Sequence, residues 1–66
     1  MGDYRQGVAD EKATLDEKIK NLQELMKTDI YKGLRLLERR CLYRQVRVME
    51  LYSDILEERI TTFNHG

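Results

Sequence analysis

Apolar residues recur through the first half of the chain as Val8, Leu15, Ile19, Leu22 and Met26, at spacings of seven, four, three and four. That period is the stripe of an amphipathic helix laid against a partner, and it predicts a helix over residues 4–27. Lys12 is its one polar interruption. Asp3 is placed to cap the helix start, Asp10 and Glu11 lie in the N-terminal half where carboxylates suit the macrodipole, and Asp16 and Lys20 are spaced as an i,i+4 pair in the favourable order.

The segment TDIYKGL then breaks the period. Thr28 or Asp29 can cap a short turn of helix, and Gly33 can end it in the left-handed conformation, so residues 28–35 read as a compact connection. A link this short folds the two flanking helices back as an antiparallel hairpin.

The second helix, expected over residues 36–62, carries two apolar seams. Leu34, Leu37, Cys41, Gln45, Val48, Tyr52 and Ile55 form the first; Leu42, Val46, Met49, Ser53, Leu56, Ile60 and Phe63 form the second, in unbroken four-three alternation. One antiparallel neighbour cannot cover so wide an apolar face. The expected architecture is therefore all-α, a helical hairpin assembling into a homo-oligomeric helix bundle, with Leu42, Val46, Met49, Leu56, Ile60 and Phe63 at the contact between subunits. Cys41 is expected as a small buried hydrophobe, Gln45 as a polar group fixing register, and Tyr52 as a core residue with its hydroxyl at the rim.

Length supports self-association. A chain of 66 residues forms one domain and buries only about 60% of the surface its unfolded form exposes, so a core this small needs a supplement. A single cysteine and a single histidine, Cys41 and His65, make neither an internal disulfide nor a zinc site. The lone cysteine also suits a reducing compartment, and the cytoplasm is the expected location. No apolar run reaches the roughly 18 residues of a membrane span. The start MGDYRQ lacks the regions of a signal peptide, and Gln6 stands where a myristoylation motif needs Ser or Thr.

Charge adds the candidate chemistry. The chain has zero formal net charge, yet RLLERRCLYRQVR, residues 35–47, sets five arginines against one glutamate at the start of the second helix, the end where cations are disfavoured. Leu36, Arg40, Tyr43, Arg47 and Leu51 share one helix face by spacing, with Arg44 on its flank. Guanidinium groups bind phosphate through paired N–H donors and a tyrosine stacks on a base, so Arg40, Tyr43, Arg44 and Arg47 are the candidate anion or nucleotide ligands. A second reading needs no ligand. Helix 2 ends in Glu50, Asp54, Glu57 and Glu58, so two copies packed antiparallel would pair basic half with acidic half, and Glu17 and Glu24 can reach the same arginines within the hairpin.

Other chemistry is absent from the pattern. There is no glycine-rich phosphate loop, no metal-ligand spacing and no histidine to serve Cys41 as a base, so the expectation is a non-enzymatic protein without cofactor or metal. Zero net charge and a pI of 6.6 weigh against nucleic acid as the partner.

Glu38, Leu42, Gln45, Met49, Tyr52, Ile55, Leu56, Arg59 and Ile60, spaced E-x3-L-x2-Q-x3-M-x2-Y-x2-IL-x2-RI, resemble small helical-hairpin accessory proteins of tailed phages. The likeness covers most of residues 11–60. It departs at Gly33 and Leu34, where a proline or serine turn is expected, and the arginines at 40, 44 and 47 are no part of it. The resemblance implies a protein made during infection in the host cytoplasm that counters antiviral defence by binding. Some such proteins are oligomeric sponges for cyclic nucleotide signals; occupying a host defence protein, or regulating through nucleic acid, are the alternatives.

Overall fold

The computed structural model of the chain describes residues 3–65, with side chains over 4–64. The Met-Gly start lies outside the described residues, as do the side chains of Asp3, the expected cap, and of His65. Three helices follow one another: α1 (Asp3–Leu25), α2 (Asp29–Lys32) and α3 (Leu36–His65). Among the described residues there is no strand, and no helix is long and apolar enough to cross a membrane.

Tyr4 meets Phe63, Lys12 meets Ser53 and Gln23 meets Glu50, so α1 and α3 run antiparallel. The result is a rod of 47 × 14 × 14 Å, as long as α3 alone at 1.5 Å per residue. Its radius of gyration, 15.1 Å, exceeds the roughly 11 Å of a compact chain of this length.

The connection behaves largely as its sequence predicts. Thr28 stands extended at the N-cap of α2, but its hydroxyl donates back to the Leu25 carbonyl at 2.6 Å instead of capping. Gly33 ends α2 with φ −82°, in the right-handed region, so the expected left-handed stop is not used. The Gly33 and Leu34 N–H groups close the turn onto α2 carbonyls instead.

The two seams of α3 exchange the expected roles. Val46, Ser53 and Leu56 are buried against α1, where Val8 and Ile19 are buried in turn, and Leu56 is fully enclosed. Leu42, Met49, Ile60 and Phe63 are half-buried along the same line, and Phe63 packs its ring 5.2 Å from that of Tyr4. The residues expected between subunits are thus the hairpin's own interior. The first seam is what remains outside: Leu37, Val48 and Ile55 are exposed, as are Gln45 and Cys41, which was expected to be buried.

A polar contact explains the choice. Lys12, the interruption in the α1 stripe, donates through Nζ to Asp16 Oδ2 at 2.8 Å and to Ser53 Oγ at 2.9 Å. Ser53 Oγ donates in turn to Asp16 Oδ1, and Glu57 lies 3.8 Å from Lys12 Nζ. The one polar member of the second seam therefore faces the one polar member of the α1 stripe, and each satisfies the other. Hydrogen bonding to Asp16 raises the Lys12 pKa, and hydrogen bonds from Lys12 and then Ser53 lower that of Asp16. Asp16 thus pairs with Lys12, one turn before it, where the sequence suggested Lys20.

Candidate functional site

The site begins with how α3 starts. The Arg39 N–H donates to the Arg35 carbonyl at 3.0 Å, which places Arg35 at the N-cap. That position normally carries a short side chain whose oxygen accepts from the first free N–H groups, and an arginine supplies no acceptor. The helix therefore opens with free N–H groups and a cluster of cations at the same end.

The connection folds over this end. Tyr31, half-buried in α2, donates its hydroxyl to the Arg39 carbonyl at 3.3 Å. This bond holds α2 against the first turn of α3 and shapes a groove of about 350 Å³ lined by Tyr31, Leu36, Arg39, Arg40, Tyr43 and Arg44. Three guanidinium groups and two phenol rings thus meet in one concavity. Among the described residues Arg39 Nε is buried there without a hydrogen-bond partner, a donor whose desolvation no described group offsets.

Of the residues the sequence proposed as ligands, Arg40, Tyr43 and Arg44 line this groove and Arg47 does not. Arg47 Nη1 lies 3.5 Å from Glu50 Oε1, one turn along α3. It borders a larger groove of about 730 Å³ between α1 and α3, where Asp16, Glu50 and Asp54 outnumber it. That groove is net acidic. Among the described residues neither Glu17 nor Glu24 pairs with an arginine; Glu50 is held instead by Arg47 and by Gln23 at 2.9 Å.

Sequence reasoning missed Tyr31 and Arg39. Tyr31 sits in a connection whose path no periodicity predicts. Arg39 lies toward the α1 side of α3, so spacing alone reads it as part of the hairpin. The available signal was the pair of tyrosines, 31 and 43, on either side of a run of arginines.

Among the described residues the groove holds cations, rings and one apolar side chain, with no carboxylate or thiol on its wall. Such a lining can bind and neutralise an anion bearing a flat apolar part. Among the described residues no group of three His, Cys, Asp or Glu side chains converges as a metal site.

A family model described as Sequestin matches residues 2–62, nearly the whole chain. The chain belongs to the Sequestin family. The match spans both long helices and the connection between them, so the groove lies inside the Sequestin region. The family's name is compatible with a sequestering role. No curated protein and no solved structure matches the chain.

Proposed function

We propose that this Sequestin chain is a non-enzymatic binder that sequesters a small anionic nucleotide, with phosphate held by Arg39, Arg40 and Arg44 and a base stacked against Tyr43 or Tyr31. The observation that carries the reading is the buried Arg39 Nε, left without an acceptor beside two further guanidinium groups. A phosphate held by the exposed Arg40 and Arg44 would sit at the positive end of α3, where an anion is stabilised and a cation is not, and would offer Nε an acceptor if the Arg39 side chain turns toward it.

Sequestration suits the chemistry better than turnover. Cleaving a phosphodiester needs a base or a metal near the reacting bond, and the described groove wall offers cations, rings and one leucine. With the resemblance to phage accessory proteins, the reading is of a protein that holds an antiviral nucleotide signal in the host cytoplasm and so withholds it from its receptor. Cyclic di- and trinucleotides are the preferred class, being compact, multiply charged and flat-based.

The test is a thermal-shift and calorimetric titration with cyclic di- and trinucleotides, with native mass spectrometry of protein recovered from signal-producing cells. A bound ligand at a hundred times its Kd stabilises the folded state by about 2.7 kcal/mol. Replacing Arg40 and Arg44 with glutamine should abolish that shift while leaving the unliganded melting temperature within a few degrees, because exposed cations contribute little to folding. No shift, no heat and no retained mass across the series would sink the reading.

A further inference from the structure

Helix α3 keeps an apolar stripe that α1 does not touch. Leu37, Cys41, Val48, Leu51 and Ile55 follow one another with Arg44 at spacings of four and three, on the face turned away from Val46, Ser53 and Leu56. Their exposure is extreme for such residues: Leu37 71%, Val48 66%, Leu51 61% and Ile55 45%. Four-three alternation over this length is the seam of a helix packed on another helix, and none of the described residues of α1 or α2 occupies it.

The area agrees. A folded monomer of 7.9 kDa exposes about 4,400 Å² by the scaling of compact proteins, whereas this chain exposes 5362 Å². The excess, about 960 Å², is of the order of the ~800 Å² that each partner contributes to a standard stable interface.

Charge identifies the occupant. One edge of the stripe carries Arg40, Arg47 and Asp54 at seven-residue intervals; the other carries Glu38, Gln45, Tyr52 and Arg59. When two identical helices pack antiparallel about a twofold axis, each edge faces the same edge of the other copy in reverse order. With the axis between Met49 and Glu50, Val48 packs on Leu51 of the second copy, Arg47 meets its Asp54, and Glu38 meets its Arg59. Both edges are self-complementary in this one register. Sliding by a heptad sets Arg47 against Arg47, and a parallel arrangement stacks Arg44 on Arg44 in the middle of the seam; both bring like charges together.

We infer that the exposed face of α3 is the seat of a second copy of this chain, packed α3 to α3 antiparallel, with the two α1 helices on the outside. The arginine groove opens beside this seam, so the dimer carries one groove toward each end of the α3 pair. The inference rests on the stripe and its edges; Arg44 belongs to the seam as well as to the groove, and the variants that test it, at Arg47 and Asp54, leave every groove residue in place.

Sedimentation equilibrium over a hundredfold range of protein concentration tests it, with Arg47→Glu and the double variant Arg47→Glu/Asp54→Arg. Arg47 and Asp54 are solvent-facing side chains of α3, so neither change removes hairpin core, and circular dichroism confirms the helices. The parent should sediment at twice the chain mass. Arg47→Glu sets two acidic pairs against each other and should weaken the dimer at least tenfold in low salt, with less effect in high salt. The double variant exchanges the two charges and should restore the parent's association. A mass of one chain at every concentration overturns the inference and leaves the face to another protein. Association that Arg47→Glu does not weaken, or that the double variant fails to restore, overturns the antiparallel register.

Discussion

Among the described residues Leu56 is the one large side chain that the hairpin encloses completely, which makes it the sharpest probe of where the core lies. Replacing it with alanine removes three carbon groups worth about 0.8 kcal/mol each in transfer alone. It also leaves a cavity that two helices can only partly close, so the total falls in the range of about 2–5 kcal/mol. A chain of 66 residues has a total stability of roughly 3–10 kcal/mol. Leu56→Ala therefore removes a large share of it and should leave a substantial unfolded fraction at 37 °C. The assay is urea denaturation followed by circular dichroism at one fixed protein concentration, since any self-association shifts the midpoint. Ile30→Ala, at an exposed position of α2, serves as the control and should change stability by less than about 0.5 kcal/mol. If Leu56→Ala behaves like the control, the second seam of α3 does not line the hairpin and the packing of α1 on α3 is wrong.

Other consequences follow from the same contacts. Gly7 lies inside α1 with open space where a Cβ would stand, so Gly7→Ala should raise stability by about 1 kcal/mol in the same urea assay. Asp16 has its pKa lowered from 3.8, so its contribution is complete above that value and is lost as pH falls through the lower folded pKa. An acid titration should show stability declining below about pH 4, and Asp16→Asn should flatten that decline. Lys12 titrates in the opposite sense: its raised pKa gives a contribution that is complete below 10.5 and lost as pH rises through the higher folded value, measurable as a fall in melting temperature on the alkaline side. Cys41 is exposed on the hairpin beside the seam inferred for the second copy. Its labelling by a thiol reagent should be fast in dilute protein and slower where the dimer is populated; equally slow labelling at all concentrations would contradict its placement.

Much of the architecture is legible in the residue pattern, because in a two-helix rod periodicity is nearly the whole fold. The boundaries expected at 4–27 and 36–62 lie close to α1 and α3, since the breaks at Thr28 and Gly33 interrupt an otherwise continuous helical period. The choice between the two seams of α3 was not legible from apolar residues alone, as both offer similar side chains at similar spacing. What decides it is polar: Ser53 lies in one seam and Gln45 in the other, and only Ser53 is short enough to sit between the helices and join Lys12 to Asp16. A glutamine at that depth brings a longer amide that the narrow contact has no room to satisfy. Read as a pair, Lys12 and Ser53 would have identified the inner seam; read singly, each is only an interruption.

The candidate site is the place where local rules are broken together, and that coincidence carries more than any one residue. An arginine stands at the N-cap of α3, three more follow by Arg44, Leu36 and Tyr43 are exposed, and Arg39 Nε is buried without an acceptor. Each feature costs the free chain stability: a missing cap about 1 kcal/mol, cations at the positive helix end some tenths each, an orphan donor about 1–3. At the opposite end of the hairpin the same kinds of group are satisfied, with Arg5 over the ring of Phe63 and Arg59 over that of Tyr4. The contrast shows that the chain can place its arginines on aromatic faces where packing asks for it. An anion bound as proposed would relieve these costs together, supplying the cap acceptor, the counter-charge and a partner for the guanidinium groups. Unfavourable choices that one ligand would relieve together mark a binding site more strongly than charge alone.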